Sequence, residues 1–152
     1  MRISVNGRDL EVAAEQETPL LYVLRNDAGC KSVRYGCGLG QCGACTVIID
    51  GKPVQSCDVP VSAAAGKSIT TVEGIGSAEK PHPLQAAFVE EQAAQCGYCI
   101  TGIIMSAKVL LDANPSPSNG DIKQALSKNL CRCGTHLRIV RAIKRAAEEM
   151  RK

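Results

Sequence analysis

Residues 35–51 read YGCGLGQCGACTVIIDG, and the order of cysteines and glycines in this stretch decides how the rest of the chain is read. Cys37, Cys42 and Cys45 stand in a C-x4-C-x2-C pattern, with Gly36, Gly38, Gly40 and Gly43 between and before them. Glycines at such density let a backbone curl inward through conformations that a Cβ would obstruct. A loop that curls in this way can aim its N–H groups at a negatively charged object. The apolar run Thr46–Ile49 and the Asp50-Gly51 hairpin signal follow, so a strand leaves the loop directly.

Cys57 follows Cys45 after eleven intervening residues and completes a C-x4-C-x2-C…C set, the spacing of plant-type [2Fe–2S] sites. Zinc sites pair two close cysteines with another close pair. Here three thiols share one loop and the fourth stands alone, which favours iron–sulfur over zinc or unliganded buried thiols. A second set of four reads Cys96-x2-Cys99-x31-Cys131-x1-Cys133. One intervening residue strains a disulfide between Cys131 and Cys133, but both can converge on one small object. Cys96 and Cys99 open a helical pattern and Cys131 and Cys133 precede another, so helix starts would favour thiolates there. Spacing alone leaves a four-cysteine zinc site and a metal-free C-x-x-C dithiol open for this second set. The ninth cysteine, Cys30, reads as a small buried hydrophobe near the first set.

The 152 residues include one Phe, three Tyr and no Trp, so large aromatic core anchors are scarce. Nine cysteines without a secretory signal pattern point to a reducing compartment and to metal before disulfides. The reading is therefore a cytoplasmic chain with no membrane span, since no apolar run approaches the roughly 18–20 residues a bilayer requires. The net charge of +3 is mild, and its excess falls in RIVRAIKRAAEEMRK. A solvated helix face accounts for that run, and no nucleic-acid partner is expected.

Strands are expected at RISV and DLEVA around Asn6-Gly7, at TVIID and KPVQSC, and in KSITTVEG. A helix is expected in PLLYVLRND, with Thr18 as its cap and Pro19 at its first position. Beyond a linker at 75–82 the periodicity becomes helical. PLQAAFVEEQ is one helix. Ile100, Ile103, Ile104, Ala107, Leu110 and Leu111 form one face of a second. Ser118 and Asp121 form a capping pattern for a third. Leu137, Val140, Ile143, Ala147 and Met150 form the stripe of a fourth. His82 reads as a turn residue, and His136 as a helix-start or interface residue. The domains expected are 1–74, a ferredoxin-type domain, and 83–152, a helical cluster-binding domain. No nucleophile elbow or dinucleotide fingerprint is present, so the chain has no catalytic residue for a substrate of its own. Two adjacent sites for one-electron chemistry suggest a relay.

YGCGLGQCGACTVIIDG, Ser56-Cys57, QCGYC (95–99) and NLCRCGTH (129–136) together resemble the small two-cluster subunit of the molybdenum hydroxylases, the group that includes the xanthine dehydrogenase, aldehyde oxidoreductase and isoquinoline oxidoreductase families. The resemblance spans nearly the whole chain. It implies an α+β architecture, an N-terminal β-grasp ferredoxin-like domain followed by a C-terminal four-helix bundle. It also implies two [2Fe–2S] clusters, one on Cys37, Cys42, Cys45 and Cys57 and one on Cys96, Cys99, Cys131 and Cys133. Gln95 and Cys133 would contact a molybdopterin cofactor held by a large partner subunit. Electrons would pass from the partner's molybdenum to an external acceptor such as a cytochrome, the substrate being turned over on the partner.

PLLYVLRND, PHPLQAAF, EQAAQCGYC and CRCGTH resemble the nicotinate dehydrogenase type most, and imply nicotinate or another N-heteroaromatic as the complex's substrate. Two positions depart from the wider pattern: Ile100-Thr101-Gly102 replaces a common Thr-Pro-Gly, and His136 a common Tyr. Neither removes a ligand. The small subunit of an isoquinoline or aldehyde oxidoreductase is the alternative within the family. A free-standing ferredoxin-type carrier and a zinc-stabilised interaction module are the alternatives outside it.

Overall fold

The computed structural model describes all 152 residues as a mixed α/β chain. Strands β1 (Arg2–Val5) and β2 (Arg8–Glu11) form a hairpin, followed by helix α1 (Leu20–Asn26). Strands β3 (Thr46–Ile49), β4 (Lys52–Gln55) and β5 (Ser68–Thr70) complete a five-stranded sheet in the order β2-β1-β5-β3-β4. Only the β1–β5 pair is parallel. Both hairpins turn as their sequences predict. Asn6 and Gly7 have φ of 51° and 75°, and Asp50 and Gly51 have 47° and 78°. Two consecutive left-handed residues match the twist of the flanking strands.

One core lies between α1 and the sheet, where Leu20, Leu21 and Leu24 meet Ile3, Val5, Val47, Ile49 and Ile69. Strand β3 is buried along its whole length because α3 packs against it as well. The sequence expected a cap from Thr18 and a helix from Pro19. Instead Pro19 is itself the cap residue and no side chain caps α1. Pro19 is extended, its φ and ψ being −56° and 131°, and it bridges Pro60, which draws it out of the helix. The expected strand in KPVQSC ends at Gln55, because Ser56–Asp58 turn as a short 3-10 helix that carries Cys57 inward. The expected strand in KSITTVEG likewise stops at Thr70, before a 3-10 turn at Val72–Gly74.

Helices α2 (Pro83–Glu90), α3 (Ile100–Ala113), α4 (Asn119–Ala125) and α5 (His136–Met150) surround a second core. Val72 and Ile75 pack against it from the connecting segment. The apolar face expected for α3 is there, but Gly102, Met105 and Ser106 are buried too. This helix serves two neighbours, its own bundle and β3. The stripe expected for α5 is displaced. Ile139, Ala142, Ile143, Ala146 and Ala147 are buried, while Leu137 is 81% exposed and Met150 39%. Alanines carry the inner face, so α5 approaches α2 closely, and Arg145 pairs with Glu90 and Glu91 across the rim. Part of the basic run is thus used within the fold. No helix is long and apolar enough to cross a membrane.

Ser118 and Asp121 cap α4 reciprocally, as their spacing predicts. His82, read from the sequence as a turn residue, caps α2. Its Nδ1 accepts from the Leu84 N–H at 3.1 Å, while Gln85 Oε1 accepts from the His82 N–H at 2.8 Å. Burial, reinforced by Lys108 and opposed by Asp112, holds the imidazole below its ordinary value of 6.5. A protonated Nδ1 cannot accept. With the folded value depressed, the unfolded chain binds more protons, so this stabilisation is complete above 6.5 and is lost as pH falls through the folded value. Thermal unfolding at about pH 7.5 and about pH 5.5 compares the chain above and below the ordinary value. His82→Asn, which caps without titrating, is expected to lose less of its melting temperature between the two than the parent does. Equal losses would remove His82 from the pH response.

Candidate iron–sulfur centres

The loop between α1 and β3 wraps its sulfurs with backbone donors. Cys37 Sγ accepts from the N–H groups of Leu39, Gln41 and Cys42 at 3.4, 3.3 and 3.3 Å. Cys42 Sγ accepts from Cys37 N–H at 3.4 Å, and Cys57 Sγ from Gly40 N–H at 3.4 Å. Positive φ at Gly38, Gly40 and Gly43 turns those N–H groups inward. Gly36 is needed for a different reason. Its φ is not in the left-handed region, but a Cβ there would stand 2.6 Å from Cys42 Sγ.

The three Leu39, Cys42 and Gln41 N–H groups hold the Cys37 thiol down to about 6. Burial has the opposite effect on Cys45 and pushes it up to about 12. Cys45 and Cys57 lie inside the first core with their side chains in hydrogen-bonding contact. Cys45, kept protonated by burial, becomes a ligand when a cation stands against it.

The second set assembles from two helix approaches. Cys99 is the cap residue of α3, with Cys96 three residues before it, and Cys131 and Cys133 lie just ahead of α5. The sulfurs meet crosswise: Cys96 contacts Cys133, and Cys99 contacts Cys131. Burial pushes Cys99 up to about 12. For Cys131 burial is overcome by the Thr135 hydroxyl and N–H and by Cys99 and Gly134, which hold it down to about 7. Cys96 is lowered by the Tyr98 N–H first and then by Cys133. Left-handed Gly97 and Gly134 form the turns on either side.

Eight cysteines therefore gather in two sets, with side-chain contacts of 37 with 42, 45 with 57, 96 with 133 and 99 with 131. Pairs suit a binuclear cluster, in which four thiolates are shared between two irons. Cys30 stays apart, buried in the first core, 4.0 Å from Asn6 Nδ2 and raised by burial. His136 is the first residue of α5 and is exposed.

The two sets adjoin. Cys37, Cys42, Cys96, Tyr98, Cys99, Leu130 and Arg132 share the lining of one cavity of about 340 Å³. The Leu130 N–H donates to the Cys42 carbonyl at 2.9 Å, joining the residue before Cys131 to a thiol of the first set. On the far side of the second set, Gln95 and Cys133 line a cavity of about 430 Å³ with Gly134, Arg138 and Arg141. The sequence did not single out Arg34, Tyr98 or Thr135, because nothing in their spacing marks a residue that touches a ligand loop from elsewhere in the chain.

Comparison with known proteins finds two families along the chain. Residues 3–70 match the family described as 2Fe-2S iron-sulfur cluster binding domain, and residues 71–144 match the [2Fe-2S] binding domain family. The chain is 59% identical over 150 residues to a nicotinate dehydrogenase subunit of Pseudomonas putida, covering 99% of this chain and 96% of that one. It is 47% identical over 146 residues to the alpha subunit of isoquinoline 1-oxidoreductase from Brevundimonas diminuta, covering 95% of each. Among solved structures, quinoline 2-oxidoreductase from Pseudomonas putida 86 superposes with a TM-score of 0.93 at 39% identity, over 99% of this chain and 96% of that one. The aldehyde oxidoreductase of Desulfovibrio desulfuricans gives 0.95 at 44% identity, this chain spanning 17% of its length.

The close approach at Gly36 yields a test. Gly36→Ala is expected to fold, since its φ suits alanine, but to displace Cys42 Sγ. Iron bound per chain should fall and loss of iron to a chelator should quicken several-fold. Wild-type retention would show that the sulfur has room.

Proposed function

The chain belongs to the two-cluster [2Fe–2S] subunits of the molybdenum hydroxylases, and we propose that Cys37, Cys42, Cys45 and Cys57 hold one of its clusters and Cys96, Cys99, Cys131 and Cys133 the other. It is the electron-transfer iron–sulfur subunit of an oxidoreductase complex whose molybdopterin sits on a large partner subunit. When bound, the clusters supply one-electron carriage, which splits a two-electron oxidation on the partner into single steps. The chain's own residues hold, insulate and align. The observation that carries this reading is the gathering of eight thiols in two sets, with backbone N–H groups already aimed at the first set.

Gln95 and Cys133 are the contacts we assign to the pterin. They line one surface cavity, and a side-chain amide there can both donate to and accept from a heterocycle's edge. Leu137, 81% exposed beside that cavity, supports a docked partner over a free-standing carrier. The substrate we favour is nicotinate, with another N-heteroaromatic next, because the relatives named for nicotinate dehydrogenase include one 59% identical over nearly the whole chain. Electrons leave from the first set to an acceptor such as a cytochrome, and the complex works in the cytoplasm. The domains run 1–74 and 83–152 with a linker at 75–82. The former is a β-grasp, as its sheet order with α1 across it supports, and the latter a four-helix bundle, as the common core of α2–α5 supports.

Dithionite reduction of the native complex, followed by low-temperature EPR and metal counting, tests the ligand sets. Two distinct [2Fe–2S] signals are expected, with about four irons per chain. Cys96→Ser or Cys131→Ser should remove one signal, leave the other and depress turnover at least tenfold. Both signals persisting in either variant would refute the second ligand set, and zinc in place of two irons would refute its cluster.

A further inference from the structure

The Cys96–Cys99 loop is held from the opposite half of the chain. Arg34 Nη1 donates to the Gly97 carbonyl, and its guanidinium lies 5.3 Å from the centroid of the Tyr98 ring. The Tyr98 hydroxyl donates to the Tyr35 carbonyl. Just inside α3, Thr101 Oγ1 donates to the Ser32 carbonyl at 2.8 Å. Arg34 also reaches the first set, its own N–H donating to the carbonyl of Ala44, between Cys42 and Cys45, at 3.3 Å. It is half-buried, and no carboxylate lies within ion-pairing distance of it. An unpaired, partly desolvated guanidinium over the peptide between two candidate ligands is not explained by packing alone.

We propose that Arg34 is a positioning residue for the helical-half cluster, fixing the Cys96–Cys99 loop and raising the reduction potential of that cluster with its fixed positive charge. The inference rests on the ligand assignment above. Cys96 is exposed, and left-handed Gly97 beside it has no side chain to anchor the turn, so the Gly97 carbonyl is the group available to hold. Reduction adds negative charge, and a nearby cation stabilises the reduced site more than the oxidised one. Guanidinium does not lose its proton in proteins, so the effect is the same across the working pH range. The stack on Tyr98 and the planar fork distinguish arginine from lysine here. Lysine would return the charge without the geometry.

The test is an EPR-monitored redox titration of the holo complex carrying Arg34→Gln or Arg34→Lys. In R34Q both signals should remain, with the helical-half midpoint falling relative to the ferredoxin-half midpoint by the equivalent of about a tenfold change in the oxidised-to-reduced ratio, about 59 mV for one electron. R34K should keep the parent spacing of midpoints while changing the line shape of the helical-half signal alone. If R34Q leaves the spacing unchanged, or R34K lowers it as far as R34Q, the electrostatic role is overturned. If R34K leaves the line shape untouched, the positioning role is overturned. Absence of a second signal in the parent would instead overturn the ligand assignment, which separates the two failures.

Discussion

Gly43 is where the two halves of the molecule cross, and the rest of the arrangement depends on how closely backbone can approach there. A Cβ on Gly43 would lie 2.3 Å from the Lys128 carbonyl, and a Cβ on Gly102 of α3 would lie 2.0 Å from the Gly43 carbonyl. Backbone therefore meets backbone on both sides of the cysteine loop. The Gly43 carbonyl accepts from Thr46 N–H at 3.1 Å, Thr46 Oγ1 at 2.7 Å and Asn129 Nδ2 at 3.3 Å. A carbonyl so close-packed has no access to water and must find its partners within the protein. This crossing sets the segment before Cys131 against Cys42, and it aims the start of α3 at the same cavity. Widening it by one methyl group would separate the two thiol sets as well as loosen the fold.

The electrostatics of the thiols follow from that geometry. Cys37 is half-buried and surrounded by N–H groups, so it ionises readily, whereas Cys45 is enclosed in the first core and resists. The second set repeats the asymmetry, with Cys131 lowered by Thr135 and Cys99 raised by burial. Within each set one thiol can be a thiolate before metal arrives and another becomes one when metal is there. Such an order suits stepwise loading, since each iron that binds lowers the cost of ionising the next sulfur.

Strong local chemistry made much of this readable in the sequence. The turn residues Asn6-Gly7 and Asp50-Gly51 dictated two hairpins, and Ser118 with Asp121 dictated the start of α4. The C-x4-C-x2-C spacing dictated a loop folded around its sulfurs. What failed to show depends on distant partners. Pro19 leaves α1 because Pro60 lies opposite it. The inner face of α5 adds Ile139, Ala142 and Ala146 to the expected Ile143 and Ala147, while Leu137 and Met150 turn outward. His82 caps α2 although histidine is a poor indicator of a cap, and burial with Lys108 widens the pH range in which Nδ1 can accept. Arg34 reads as one more surface cation until the fold brings the Gly97 carbonyl against its guanidinium.

The sulfur contacts of the second set bear on what it holds. Cys96 meets Cys133 and Cys99 meets Cys131, and Cys96 also lies near Cys131 and Cys99. In extended backbone the two cysteines of C-x-C would face the same side; the turn at Arg132-Cys133 lets each meet a different member of the C-x-x-C loop. A tight spacing that is awkward for one ion would suit two, because four thiolates could then be shared between two irons.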